Sequence, residues 1–272
     1  MSEILIKYKD YLLARKQSIN YFNITKIWLE YLDINKINMN NITQEIITNF
    51  FNNKKEYSIN TRNQFIKAGR SFDEFLGKQD SEWTKIRLIQ PEINIPEVLT
   101  PKDIEEAKKY LKTYHSQQYS IAKIEALLSF LFATGIRKAE LLNLKRSDFI
   151  LTENKTKVFG KGRKERYIYF NDRVKKEIET YFNSELEKDN AFNVSLGQLH
   201  YMVKLISKYL NKKVYMHLLR HSGATDMMNK EIPINMVSKI LGHSSVTMTM
   251  RYLNPTQKMI EDKYQEKMKD KK

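Results

Sequence analysis

The sequence predicts a mainly helical protein in two domains. An N-terminal helical bundle is followed by a mixed α/β domain, mostly helical with a small three-stranded antiparallel sheet. Three observations carry this expectation. Apolar residues recur at three and four positions through most of the 272 residues, which is the period of a helix face. That period fails between Gly77 and Thr100, where "GKQDSEWTKIRLIQPEINIPEVLT" holds two prolines, so the chain divides there. One stretch, "FILTENKTKVFGKGRKERYIYF", instead alternates apolar and polar side chains, as a half-buried strand does.

Residues 1–80 are read as the bundle, 81–97 as a linker and 98–272 as the second domain, with a tail over 254–272. In "SEILIKYKDYLLARK" the residues Ile4, Tyr8, Tyr11 and Leu12 form one stripe. "SINYFNITKIWLEYL" starts from a Ser18 cap and repeats Phe22, Ile27, Leu29 and Leu32. "TQEIITNFFNN" starts from Thr43, with Glu45 as a capping acid, and the fourth segment carries Ile59, Phe65, Ala68, Phe72 and Phe75. The second domain restarts with Thr100 as N-cap, Pro101 at the first helical position and Asp103 in the first turn. Two buried helices broken at Gly135 come next. In the sheet, Val158 and then Arg166, Ile168 and Phe170 alternate with Tyr167 and Tyr169, with turns near Asn154 and from Gly160 to Gly162. After Asp172 the helical period returns.

Composition narrows the function classes. A hydrophobic content of 41% with 29% charged residues fits a soluble globular chain rather than a disordered one. No apolar run approaches a membrane span, and "MSEILIKYKD" brings acids too early for a signal peptide. The absence of cysteine excludes disulfides, thiol catalysis and cysteine-bound metals, and fits an intracellular protein. A net charge of +15 attracts polyanions, most often nucleic acid, although a Lys-rich surface reflecting an AT-rich genome competes with that reading.

The chemistry starts at "HLLRHSGATDMM", His217 to Met228. His217 and Arg220, three apart, share a helix face, while His221 is expected to be turned from His217 by more than a right angle. Such a donor-rich, cationic spot needs an anion. Arg137 follows Gly135 at the head of an apolar helix, where Glu140 one turn on can orient it. Lys161 sits between two glycines in the hairpin turn. "ILGHSSVTMTMRYL" ends a helix at Gly242, exposes His243, restarts from Ser244 or Ser245, and reaches Tyr252 about two turns later. Singly, each has a plain structural explanation: a surface pair, a solvated lysine, a helix cap, a packing tyrosine. Jointly, two arginines, two histidines and a lysine make a cage for a phosphate, with no carboxylate to hold a metal and a tyrosine as nucleophile. Metal-free phosphoryl transfer needs that combination.

The second domain resembles the tyrosine recombinases of the phage integrase family, especially short Xer-type and archaeal or viral integrases. "ATGIRKAELLNL" is similar to the family's first-arginine box, "FGKGRKERYIYF" to its lysine hairpin, "HLLRHSGAT" to His-x-x-Arg-His, and "LGHSSVTMTMRY" to the Gly-His box with its tyrosine nine residues on. The resemblance spans roughly 98–254; over 1–76 only helical content and size are similar to the family's SAM-like core-binding domain. It implies a site-specific DNA recombinase or integrase in which Arg137, Arg220 and His243 clamp the non-bridging phosphate oxygens. His217 would hydrogen-bond the phosphate and help deprotonate Tyr252, which attacks to give a 3′-phosphotyrosyl link and a free 5′-hydroxyl. Lys161 would protonate the leaving oxygen; Glu140 would orient Arg137, and His221 would brace the His217 helix. Exchange then proceeds through a Holliday junction without ATP, metal or other cofactor. The implied partners are double-stranded DNA with a specific recombination site and, on it, a homotetramer (monomer or dimer when free), with no membrane, in the cytoplasm at the nucleoid. Type IB topoisomerase-like relaxation and a non-catalytic DNA-binding regulator are the alternatives. The short path from His243 to Tyr252 favours the recombinase over the first; the completeness of the site argues against the second.

Overall fold

The structure, a computed structural model, describes residues 2–78, 80–90, 97–113, 120–160, 165–243 and 245–250, together with Tyr264 and Met268. The chain divides into two compact units, Met1–Asn94 and Ile95–Lys272.

The first unit is built from α1 (Ser2–Ala14), α2 (Asn20–Ile34), α3 (Gln44–Asn52) and α4 (Ile59–Phe75). Its core joins Tyr8 and Leu12 of α1 to Trp28, Leu29 and Leu32 of α2, Phe50 of α3, and Phe65 and Phe72 of α4. Local chemistry sets two of the helix starts. Thr43 Oγ1 accepts a hydrogen bond from the Ile46 amide and Ser58 Oγ from the Thr61 amide, each satisfying an N–H that the helix itself cannot. Two expectations need correcting. Helix α2 begins at Asn20 with Ile19 in the cap position and no side-chain cap, so Ser18 stands one residue too early. Ile27 is 39% exposed, because the inward stripe of α2 runs through Ile24, Trp28 and Leu32, four residues apart.

The stretch expected as linker opens with structure. Residues Glu82–Lys85 form a short helix, α5, and Trp83 is buried with its ring edge-on to Trp28 at 5.0 Å between centroids. Arg70 donates to the carbonyls of Trp83 (3.1 Å) and Ile86 (2.6 Å), and Asn63 pairs with Ile89 through both its amide atoms. A single turn followed by extended chain has no period to read, and one tryptophan fastens it.

The second unit opens with α6 (Pro101–Thr113). Thr100 Oγ1 accepts from the Asp103 amide while Asp103 Oδ2 accepts from the Thr100 amide, a reciprocal cap. Helix α7 (Ile121–Thr134) is central, with Ile124, Leu127, Leu128, Phe130 and Leu131 buried, and Gly135 ends it in the left-handed region at φ 57°. Then follow α8 (Lys138–Asn143) and the strands β1 (Phe149–Ile150), β2 (Lys155–Phe159) and β3 (Glu165–Tyr169). The sheet runs β1-β2-β3, all antiparallel, with Val158 opposite Arg166 and Thr156 opposite Ile168. Val158, Ile168 and Phe170 are buried while Tyr167 and Tyr169 face solvent, so the alternation and the mainly helical fold class with a small three-stranded sheet are both as expected. There follow α9 (Asp172–Ser184), α10 (Leu196–Leu210), α11 (Met216–Asn229), α12 (Ile234–Leu241) and α13 (Val246–Met250). Helices α6, α9 and α11 pack on α7. The contact of α11 with α7 is so close that a Cβ on Gly223 would lie 2.1 Å from the Phe132 carbonyl oxygen. Among the described residues no helix is long and apolar enough to cross a membrane.

Candidate active site

Arg137 occupies the cap position of α8 in extended conformation. Glu140 holds it twice, accepting from the Arg137 amide at Oε2 (3.0 Å) and from its Nη1 at Oε1 (2.9 Å). The other terminal nitrogen, Nη2, donates to the Gly242 carbonyl. Arg220 is buried in α11, and its Nη1 and Nη2 donate to the carbonyls of Gly135 (2.6 Å) and Leu241 (2.7 Å). These carbonyls lie at the C-terminal ends of α7 and α12, where unpaired acceptors and the negative end of the helix dipole favour a cation. The protein thus seats this buried guanidinium on two main-chain carbonyls.

His217 opens onto the same place from the first turn of α11. Burial, then Arg220 and Arg137, lower its pKa. His243 follows Gly242, which ends α12 at φ 66°; its Nδ1 contacts Thr249 Oγ1 at 2.7 Å, which sets the ring plane. Burial and then the neighbouring arginines bring its pKa from 6.5 to about 4. His221 is buried, and its pKa is lowered by burial and by the proximity of His217. The expected wide rotation between these two rings is therefore wrong: four residues along an α-helix amount to only about 40°. All three imidazoles are neutral at pH 7, beside two permanent cations.

This chemistry sets a pH response. An unfolded His243 takes a proton near pH 6.5, whereas the folded one resists until about pH 4. In that window the unfolded state binds more protons, so stability is complete above pH 6.5 and falls as pH drops. His217 and His221 act in the same direction. The thermal midpoint should decline between pH 6.5 and about 5, still above the carboxylate range, and His243→Gln should flatten the decline. An equally steep curve in that variant would sink the assignment.

A cavity of about 550 Å³ is lined by Arg137, Lys138, His200, His217, Arg220 and His243. The structure thus brings together four of the expected site residues, with Glu140 holding Arg137 and His221 behind His217. Lys161 and Tyr252 lie outside the described residues. Lys138 and His200 line the cavity and Thr249 holds His243, beyond the residues that the motifs point to. Arg166 also stands beyond them: its Nη1 and Nη2 donate to both oxygens of Glu140 (2.7 and 2.9 Å) and its Nε donates to the Ile240 carbonyl (2.9 Å). A signal existed for Arg166: it occupies the inward register of β3, and a charge in a buried register must be paired. Thr249 gave none.

Comparison with known proteins places the chain in a family. The model of the phage integrase family matches residues 97–259. The tyrosine recombinase XerD of Staphylococcus haemolyticus is 32% identical over 220 residues, 74% of each chain. Tyrosine recombinase XerC of Bacillus subtilis is 26% identical over 298 aligned positions, covering 90% of this chain and 96% of the relative. In fold, the Tn1549 transposon integrase, solved in complex with transposon right end DNA, superposes with a TM-score of 0.70 over 97% of this chain and 98% of its own, at 15% identity. The family match runs from the reciprocal cap at Thr100, through the sheet and the His217 helix, into the tail; the chain therefore belongs to the phage integrase family and is a tyrosine recombinase.

Proposed function

We propose that this recombinase cleaves DNA by attack of Tyr252 on a backbone phosphate seated in the cavity between Arg137, His217, Arg220 and His243. The observation that carries the reading is the convergence of these four side chains, from three separate parts of the chain, on one cavity. Arg137, Arg220 and His243 stabilise negative charge on the non-bridging oxygens as the phosphorus becomes pentacoordinate; losing one such donor costs about 10²–10³-fold in rate. His217 is neutral near pH 7, as a group accepting the tyrosine proton must be. The bond from the Tyr252 oxygen to phosphorus forms while the bond to the 5′-oxygen breaks, and Lys161 supplies the proton to that oxygen. A partner strand's 5′-hydroxyl then reverses the step on a new neighbour, through a Holliday junction. In this reading residues 1–80 clasp the duplex, 98–272 perform the chemistry, and the protein works at the nucleoid in the cytoplasm.

The test is covalent capture. The full chain is incubated with nicked duplexes of randomised sequence, and SDS-resistant complexes are recovered, amplified and sequenced. Captured molecules should converge on one recombination site; capture without convergence would favour DNA relaxation, and no capture at all would sink the reading.

The role of Lys161 has its own signature. An oxygen leaving group needs a proton and a sulfur one does not, so Lys161→Ala should slow cleavage of ordinary DNA by about 10²–10⁴-fold. It should recover largely on DNA with sulfur at the 5′-bridging position. Arg137→Ala and Arg220→Ala should not recover, since they act on oxygens that this substitution leaves untouched. Rescue of Lys164→Ala instead would move the general acid.

The homotetramer on DNA belongs to the same proposal. The tail carries Met259, Ile260, Tyr264 and Met268 at helical spacing, and an apolar stripe there suits a groove on a neighbouring protomer. Of these, Tyr264 and Met268 are described and exposed, and the other two lie outside the described residues. Cutting after Asn254 should weaken assembly on a complete site more than binding to a half-site, by gel shift; equal loss of both counts against docking in trans.

A further inference from the structure

We propose that Arg166 is a positioning residue of the cleavage reaction: by gripping Glu140 and the Ile240 carbonyl together, it fixes how Arg137 and His243 meet the phosphate. The proposal rests on the reading that these two side chains bind that phosphate. Its basis is a single guanidinium joined to both halves of the site. Glu140 Oε1 accepts from Arg137 Nη1 and Arg166 Nη1, and Oε2 accepts from the Arg137 amide and Arg166 Nη2. The carboxylate is thereby held from two sides, with its side chain only 5% exposed. On the opposite edge, Arg166 Nε holds the Ile240 carbonyl at 2.9 Å, two residues before Gly242. Gly242 closely approaches the same guanidinium: a Cβ there would sit 2.8 Å from Arg166 Nε. Gly242 in turn offers its carbonyl to Arg137 and carries His243 next in sequence. Arg166 therefore holds the carboxylate that orients Arg137 and lies against Gly242, whose carbonyl accepts from Arg137.

A buried ion pair is weak evidence for stability, because desolvation offsets much of its attraction. What this one supplies is geometry, and only a planar fork with three donors can serve two oxygens and a carbonyl at once; a lysine ammonium cannot match it. The charged groups facing Glu140 are Arg137 from the turn before its own helix and Arg166 from β3, while α12 presents the Ile240 carbonyl to Arg166 and the His243 beyond it is neutral. Burial pushes the Glu140 carboxyl up, and the two arginines more than reverse this. Without Arg166, Glu140 should take up a proton at a pH where the wild-type residue is ionised and loosen its hold on Arg137.

The experiment uses the full chain and nicked DNA captured by the wild type. It compares Arg166→Met, Arg166→Lys, Glu140→Gln and the double variant Glu140→Gln/Arg166→Met. Single-turnover adduct formation is followed against pH, non-covalent DNA affinity is measured in a Tyr252→Phe background, and thermal midpoints are recorded. Arg166→Met should slow cleavage by about 10²-fold, the size of effect that a small misplacement of a catalytic group produces. Affinity should be little changed and the slowing should deepen toward low pH. Arg166→Lys should remove the acid limb yet stay slow. The double variant should lack the limb and match Glu140→Gln in rate. PH-independent slowing that follows the loss of thermal midpoint, multiplying losses in the double variant, or a full rate in Arg166→Lys would each overturn the proposal. If Arg166→Met does not fold, Arg166→Lys and Glu140→Gln decide it: equal slowing supports it, and a fast lysine variant overturns it. Arg220→Ala and Tyr252→Phe run alongside; adducts undiminished in both would mean that the phosphate site itself is misassigned.

Discussion

Tyr252→Phe is expected to abolish the SDS-resistant adduct while leaving non-covalent DNA binding intact. The change removes one oxygen and keeps the ring, so packing is conserved and only the attacking atom is lost. The chain has sixteen tyrosines, and several are poor rivals on physical grounds. Burial raises the pKa of Tyr8, Tyr11 and Tyr181, and the Glu185 charge adds to the effect at Tyr181. A hydroxyl that resists ionisation inside a core cannot reach a DNA phosphate. The serious rival is Tyr215, which is 37% exposed and lines the same cavity as His217 and Arg220. Tyr215→Phe should keep forming the adduct. If the Tyr252 variant retains it, and peptide mapping finds DNA on Tyr215, the nucleophile has been misassigned.

Gly223→Ala should be more damaging than a methyl at any other described glycine of the second unit. A Cβ there would meet the Phe132 carbonyl oxygen at 2.1 Å, and a backbone atom inside α7 cannot swing aside as a side chain does. Helix α11 must move off α7, which overpacks the core at a cost of about 3 kcal/mol. The movement would carry His217 and Arg220 away from Gly135, so adduct formation should fall together with the denaturation midpoint. Gly197→Ala is the control: in α10 the nearest atom to the new methyl is Ser195 Oγ at 3.9 Å. It should be neutral or stabilise by up to about 1 kcal/mol. Equal midpoints for the two variants would refute the close-approach argument.

What could be read in the sequence were the features that depend on near neighbours. The caps at Thr43 and Thr100 need only the next three residues, and the alternation of β3 is visible in five. Arg137, His217, Arg220 and His243 stood out because each lies at a helix boundary or within a spaced motif. The failures are of another kind. Trp83 is held by Trp28 and Arg70 from other helices, so nothing adjacent announces it. Arg166 stands in the register of Ile168 and Phe170, yet its partner is 26 residues away and lies on another element. Ile27 and Trp28 are neighbours competing for one face of α2, and the whole core decided between them.

The way in which Arg137 and Arg220 are anchored affects how this lineage can change. Their carbonyl acceptors at Gly135, Leu241 and Gly242 belong to the main chain. No codon change at those positions can delete an acceptor; it can only displace one. Genetic drift therefore meets an uneven landscape here. Leu241 is free to exchange for another apolar residue of similar volume without touching the anchoring of Arg220. The glycines at 135 and 242 combine positive φ with a neighbouring side chain less than 3 Å from where a Cβ would sit, so replacement strains both, although neither contributes a side chain to the chemistry. In a collection of spontaneous loss-of-function variants, these two silent-looking positions should appear about as often as the charged residues that line the cavity.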